Sequence, residues 1–367
     1  MSNQSGLFCP LQLGKCYLKN RVILCPLTRF RADVGAVPSS LMKEYYTQRA
    51  SVPGTLLITE ATSISEDARG FDKVPGIWNQ DQIAAWKTIV DAVHSKNSFI
   101  WLQLWATGRA AEPGFNCVSS SSIQIPPQED PNEIYPVPRS LTSMEVENFI
   151  NQYVLAAENA MNCGFDGVEI HGANGFLIDQ FTQESCNKRT DEWGGSLEKR
   201  ARFGLEVTKR IISKIGADRV GIKLSPWSTY LGMGVMEDLV PQFEYIIKQL
   251  HEMNVAYLHL ANSRWVESKS HPDVDNETFV RMWGKAKPII IAGGYNGESA
   301  RKVVEDTYAG HNNIAVGFGR HFLANPDLPF RLRHGIQLAP YDRETFYGPG
   351  SEGYTDYPFS SEFIDSH

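Results

Sequence analysis

The chain reads as an α/β protein of a single (β/α)8 TIM barrel, and three observations predict it. Eight short runs of β-branched and apolar residues recur along its 367 residues, each of strand length. The stretches between them carry helical periodicity, which makes strand–helix–strand units and hence a parallel sheet. The notable polar side chains (Thr28, Gln103, His171, Asn174, Lys223 and Arg320) fall at the C-terminal ends of those runs, where a barrel keeps its chemistry. An open doubly wound sheet is the alternative. Against it, no strand is followed by the G-x-G-x-x-G turn of a separate dinucleotide domain.

In order, the expected strands are residues 22–25, 56–59, 99–102, 167–170, 220–223, 257–260, 288–291 and 314–317. Amphipathic helices are expected over 82–95 and 145–163, and the whole chain, 1–367, is expected to form one domain. Two connections are too long for simple turns. Residues 106–143, rich in Pro, Ser and Gly, are expected to form a lid inserted after the third strand; the stretch 128–136 within it is the part that reads as disordered. Residues 262–276 follow the sixth strand and carry Arg264, Trp265 and His271. Long loops at a barrel mouth commonly serve as lids or substrate walls.

Apolar residues make up 42% and charged residues 21%, as in ordinary soluble proteins. A net charge of −7 argues against nucleic acid or an anionic membrane as partner. The densest basic group, Lys199-Arg200-Ala201-Arg202, follows Glu198 on an expected helix and reads as a solvated face. Six cysteines lie scattered, without C-x-x-C and without histidines at ligand spacing. That pattern predicts a reduced intracellular protein and no metal site. No signal peptide, lipidation box or membrane-length apolar run of ~18 residues is present, so the expected location is cytoplasmic. Composition leaves monomer and homodimer both open.

The chemistry concentrates behind the fourth strand, in His171-Gly172-Ala173-Asn174-Gly175-Phe176. An imidazole and a carboxamide at i and i+3 can converge on a carbonyl oxygen and stabilise charge developing there. Phe176 can shape a pocket but has no proton to give. After the seventh strand comes Ala292-Gly293-Gly294, and after the eighth Gly319-Arg320. Glycine amides there are a common barrel phosphate site, and a guanidinium suits a phosphate dianion. A phosphorylated flat cofactor across the mouth is therefore expected, and FMN fits the inventory. Gln103 can meet the pyrimidine edge, Lys223 can sit near the N1–C2=O locus, and Thr28 and the Ala61 backbone can address the N5–O4 side. Singly, Gln103 also reads as a satisfied polar group and Lys223 as half of an ion pair. FAD is not excluded by these residues alone.

Several motifs together resemble the Old Yellow Enzyme family. They are Pro26-Leu27-Thr28-Arg29-Phe30-Arg31, Thr59-Glu60-Ala61-Thr62, Gln103-Leu104-Trp105 and the 171–176 run with Asp179-Gln180-Phe181. Asn187 with Arg189-Thr190-Asp191 and Trp193-Gly194-Gly195-Ser196, Lys223-Leu224-Ser225-Pro226, Asn325-Pro326-Asp327 and Thr345-Phe346-Tyr347 extend the match over nearly the whole chain. The resemblance implies a barrel that binds FMN, takes electrons from NADPH and acts on activated alkenes, a small-molecule enal being the substrate. It also implies that His171 and Asn174 bind the substrate's carbonyl oxygen. Pro26, Thr28, Ala61, Gln103, His171, Lys223, Gly294, Gly319 and Arg320 would contact FMN, with Phe346 and Tyr347 beside it.

Residues 104–111 and 260–265 resemble most the fungal ergot alkaloid branch, which acts on chanoclavine-I aldehyde. The family usually has tyrosine at the position of Phe176, and that phenol protonates the substrate's α-carbon. Within the branch, phenylalanine there resembles the isomerase type. The expectation is E-to-Z isomerisation leading to a cyclic iminium. The alternative is an NADPH-dependent ene-reductase in which Tyr45, Tyr46 or water supplies the proton.

Overall fold

A computed structural model describes residues 5–127, 134–234, 236–262 and 276–366. Residues 128–133 and 263–275, with Arg264, Trp265 and His271, lie outside the described residues. Eight parallel strands form the barrel: β1 Val22–Leu24, β2 Leu56–Ile58, β3 Phe99–Trp105, β4 Gly167–Gly172, β5 Val220–Leu224, β6 Tyr257–Ala261, β7 Ile289–Ala292 and β8 Ile314–Phe318. Each pairs with its successor, and β8 pairs with β1 to close the ring. All eight expected strands are present. Closure also settles the choice against an open sheet.

The outer ring runs α1 Ser40–Arg49, α2 Gln80–His94, α3 Ser143–Cys163, α4 Leu177–Thr182, α5 Leu197–Ile215, α6 Leu239–Glu252, α7 Glu277–Trp283, α8 Gly297–Lys302, α9 Arg320–Ala324 and α10 Leu328–His334. Helices α2 and α3 begin two residues earlier than periodicity predicts, because capping boxes set their starts. Asn79 pairs with Gln82, and Thr142 with Glu145, each side chain bonding the other's backbone N–H. Gly164 in a left-handed conformation ends α3. On α5 the basic run is not wholly a solvated face. Arg200 is buried; it donates to the Gly195 carbonyl and to Gln242, and pairs with Asp238. A cation at that position ties α5 to α6.

The interior of the barrel explains its sequence. Strand register places Trp101 beside Gly167, and Gln103, Glu169, Gly221 and Tyr257 in the next row. A Cβ on Gly167 would come within 2.7 Å of the Trp101 ring, and one on Gly221 within 2.3 Å of the Tyr257 ring. Two strands thus give up side chains so that their neighbours' rings fill the centre. An antiparallel hairpin, Leu11–Leu13 with Cys16–Leu18, seals this interior against Ile23, Leu56, Ile58, Ile290 and Ala315.

The segment over 106–143, expected as a lid, is docked along much of its described length. Val118–Ser119 pairs in parallel with Arg139–Ser140. Gln180 on α4 anchors it, accepting from Ser119 Oγ at 2.9 Å through its side chain and from Ser120 Oγ at 2.7 Å through its carbonyl. Among the described residues no helix is long and apolar enough to cross a membrane, and all six cysteines are free. The crowding at Gly221 makes a stability prediction. Gly221→Ala should cost about 1–3 kcal/mol, as overpacked cores do, and lower the melting temperature. An unchanged melting curve would contradict this account of the interior.

Candidate active site

The turn that carries the candidate catalytic groups is built to leave β4 sharply. Asn174 and Gly175 both take positive φ, 58° and 75°, conformations open to asparagine and glycine at little cost. The missing side chain of Gly175 also lets Leu231 approach, since a Cβ would lie 2.7 Å from it. The Asn174 amide donates to Ser225 Oγ at 2.8 Å, which fastens the turn to the end of β5. Asp179 accepts from the Gly175 amide at 2.9 Å and from Gln183 Nε2 at 2.9 Å. Burial pushes its pKa up to about 6.

Register sets His171 beside Lys223, and Lys223 beside His259. His171 is buried, and its Nδ1 has no hydrogen-bond partner; neither has Asn174 Oδ1. A buried polar atom left unpaired costs about 1–3 kcal/mol, so two of them on one turn mark a position for a polar ligand group. Burial first, then the charges of Lys223 and His259, hold the His171 pKa well below the ordinary 6.5. The imidazole is neutral around neutral pH and offers a single N–H.

Gln103, Lys223 and Ala61 are buried where β3, β5 and the segment after β2 end. The Gln103 Nε2 donates to Glu169 Oε1 at 2.7 Å. On the glycine side, Gly293 and Gly294 take positive φ, and a Cβ on Gly293 would sit 2.6 Å from Asn262. Gly319 lies against Leu27, between half-buried Pro26 and Thr28. Arg320 opens α9 with its guanidinium 5.6 Å from the Tyr341 ring. The loop after β8 therefore lies against the loop after β1, and the ends of β7 and β8 adjoin through the register pair Ala292 and Gly317.

Phe176 stands at the junction of two apolar clusters. One contains Ala61, Val74, Trp105, Phe30 and Phe71; the other contains Ile125, Leu231, Tyr135 and Tyr230. An unbroken series of ring contacts runs from Tyr347 to Phe30 (5.5 Å), Phe71 (5.9 Å), Trp105 (5.7 Å), Phe176 (4.8 Å) and His171 (5.0 Å). Phe346 and Tyr347 are held there by Arg29 and Arg31, which both donate to the Phe346 carbonyl at 2.9 Å. Tyr45 and Tyr46 belong elsewhere. Tyr45 stacks on Tyr354 at 4.3 Å, and the Tyr46 hydroxyl accepts from the Glu60 amide at 2.8 Å. Burial raises the Tyr46 pKa well above 10. Neither phenol joins the clusters around Phe176.

Two residues of this region escape sequence reading. Glu169 is wholly buried and accepts three hydrogen bonds, and His259 is wholly buried beside it. The signal was there: Glu169 lies two residues before His171 and so shares its face of the strand. Among the described residues, no three of His, Cys, Asp and Glu cluster as metal ligands would.

Known proteins match this chain along nearly its whole length. The family model described as NADH:flavin oxidoreductase / NADH oxidase matches residues 6–339. A probable inactive reductase, easA, of Epichloe festucae var. lolii is 60% identical over 98% of this chain and 97% of its own. A chanoclavine-I aldehyde reductase, ifgG, of Penicillium roqueforti is 54% identical over 98% of this chain and 96% of its own. The solved structure of an old yellow enzyme homologue from Zymomonas mobilis superposes with a TM-score of 0.88 at 37% identity, covering 96% of this chain and 99% of that one. The chain belongs to the NADH:flavin oxidoreductase / NADH oxidase family, the Old Yellow Enzymes.

Proposed function

We propose that the protein is an FMN-dependent isomerase of an α,β-unsaturated aldehyde, converting chanoclavine-I aldehyde from E to Z on the way to a cyclic iminium. The observation that carries this reading is Phe176. It packs edge-on against His171, where the family has its proton donor, and it has no hydroxyl. The residues fit FMN: backbone glycines and Arg320 for the phosphate, Gln103 and Lys223 for the pyrimidine side, with the ring N–H of His171 and the carboxamide NH2 of Asn174 as the donors for the substrate oxygen. Pro26, Thr28, Ala61, Gly294 and Gly319 would line the cofactor, with Phe346 and Tyr347 on the aromatic wall. When bound, FMN with NADPH as its reductant would supply the chemistry these residues serve, reversible hydride transfer at the β-carbon of the enal.

The protein's own residues do the rest. Neutral His171 and Asn174 each give an N–H to the aldehyde oxygen as it gains charge; only the part of that bonding that grows toward the transition state lowers the barrier. In the resulting enolate the former alkene bond is single and can turn. A general acid at residue 176 would trap the enolate, a contribution typically worth ~10²–10⁴-fold. Phe176 cannot, so rotation precedes return of the electrons. The Z aldehyde then meets the substrate's own secondary amine and loses water to form the iminium, whose reduction requires another enzyme.

One relative is named a probable inactive reductase; an isomerase, which consumes no net NADPH, would likewise lack reductase activity. The relative named a chanoclavine-I aldehyde reductase favours the second reading, saturation of the same alkene. The two separate by stoichiometry. With chanoclavine-I aldehyde, a catalytic amount of NADPH should suffice for complete conversion, whereas one equivalent per turnover would establish the reductase. Phe176→Tyr should shift the product toward the saturated aldehyde; an unchanged product ratio would overturn the proton-trap account. Finally, kcat/KM should pass through the ordinary histidine value of 6.5 without an inflection from His171, because the depressed pKa keeps the ring neutral on both sides of it. An inflection there that disappears in His171→Asn would contradict the neutral imidazole.

A further inference from the structure

Glu169 has no assigned part in the chemistry, yet the barrel is arranged around it. Its carboxylate is fully buried and accepts from Gln103 Nε2 at 2.7 Å, Tyr257 Oη at 3.0 Å and His259 Nδ1 at 2.8 Å. The Tyr257 ring reaches it only because Gly221 has no side chain. Burying a carboxylate costs several kcal/mol, and a barrel interior is otherwise filled by apolar residues. Burial opposes its charge most strongly, but His259, Lys223 and Gln103 together hold its pKa below the ordinary carboxylate value.

An ionised carboxylate accepts and never donates, so it dictates which end of the Gln103 amide it meets. The NH2 is bound to Glu169, and the oxygen is left for a donor. Such a donor exists on a flavin pyrimidine ring, at its N3–H. Lys223 occupies the adjoining row of the barrel, next to His171 and His259, where Glu169 offsets part of its charge.

We propose that Glu169 is a positioning residue for the flavin, fixing the Gln103 amide with its oxygen toward the pyrimidine edge and setting how much of the Lys223 charge the flavin feels. The inference rests on the reading that Gln103 and Lys223 hold FMN. Removing the negative charge leaves Lys223 uncompensated and favours the reduced, anionic flavin. Shortening the side chain keeps the charge but breaks the bond to Gln103.

The test measures the flavin midpoint potential and the FMN dissociation constant of the full-length protein and three variants. Glu169→Gln should raise the midpoint by the equivalent of about tenfold in the two-electron equilibrium, ~30 mV. Glu169→Asp should restore the wild-type potential but weaken FMN binding about tenfold, the loss of one charge-assisted hydrogen bond. Tyr257→Phe, which keeps both the charge and the Gln103 bond, should lower the melting temperature and leave potential and affinity unaltered. If Glu169→Gln behaves like Tyr257→Phe, or Glu169→Asp binds FMN as wild type does, the residue is merely structural and the proposal fails. A wild-type protein that takes up no FMN overturns the cofactor reading itself, and this inference with it.

Discussion

Everything at the mouth of this barrel depends on how its centre is filled. Two strands withdraw their side chains at Gly167 and Gly221, and Trp101 and Tyr257 occupy the space. Tight packing of that kind fixes strand register, because a slip of one residue would turn every side chain to the opposite face. Register in turn stacks Gln103, Glu169, His171, Lys223 and His259 in two successive rows. The polar rows are buried, so each charge must be answered by a neighbour. That is why a carboxylate, an ammonium and two imidazoles occur together.

A second constraint is the wall of aromatic rings. It begins with a C-terminal segment held by the guanidinium groups of Arg29 and Arg31 and ends at His171. Distant parts of the chain, from residue 30 to residue 347, are thereby built into one surface. Phe176 belongs to this wall and also to an apolar cluster that the inserted segment helps to form through Ala110, Ile125 and Tyr135. Replacing its ring by a phenol would alter chemistry more than shape. On the proposed mechanism, the choice between isomerisation and saturation rests on that single oxygen atom.

Much of the fold was legible in the sequence because parallel strands, buried on both faces, read as continuous apolar runs. Helix starts at Asn79 and Thr142 needed the side-chain caps that periodicity alone does not weigh. His171, Asn174 and Phe176 stood out because polar and aromatic groups crowd a strand end. Glu169 did not, since it lies within the run Gly167–Ile170 and looks like an exposed interruption of an apolar stretch. Only closure of the barrel, which faces it toward Gln103 and His259, gives it a role. Arg200 was misread for a similar reason. A cation in a basic run resembles solvated surface until α6 supplies Asp238 and Gln242.

The account turns on whether electrons leave the protein with the product. The most direct measurement is anaerobic: the FMN-loaded protein is fully reduced, freed of NADPH, and mixed with excess chanoclavine-I aldehyde while flavin absorbance and product are followed together. The account predicts many equivalents of Z aldehyde or its iminium formed while the flavin stays reduced. One saturated aldehyde appearing for each flavin oxidised, followed by arrest, would contradict it.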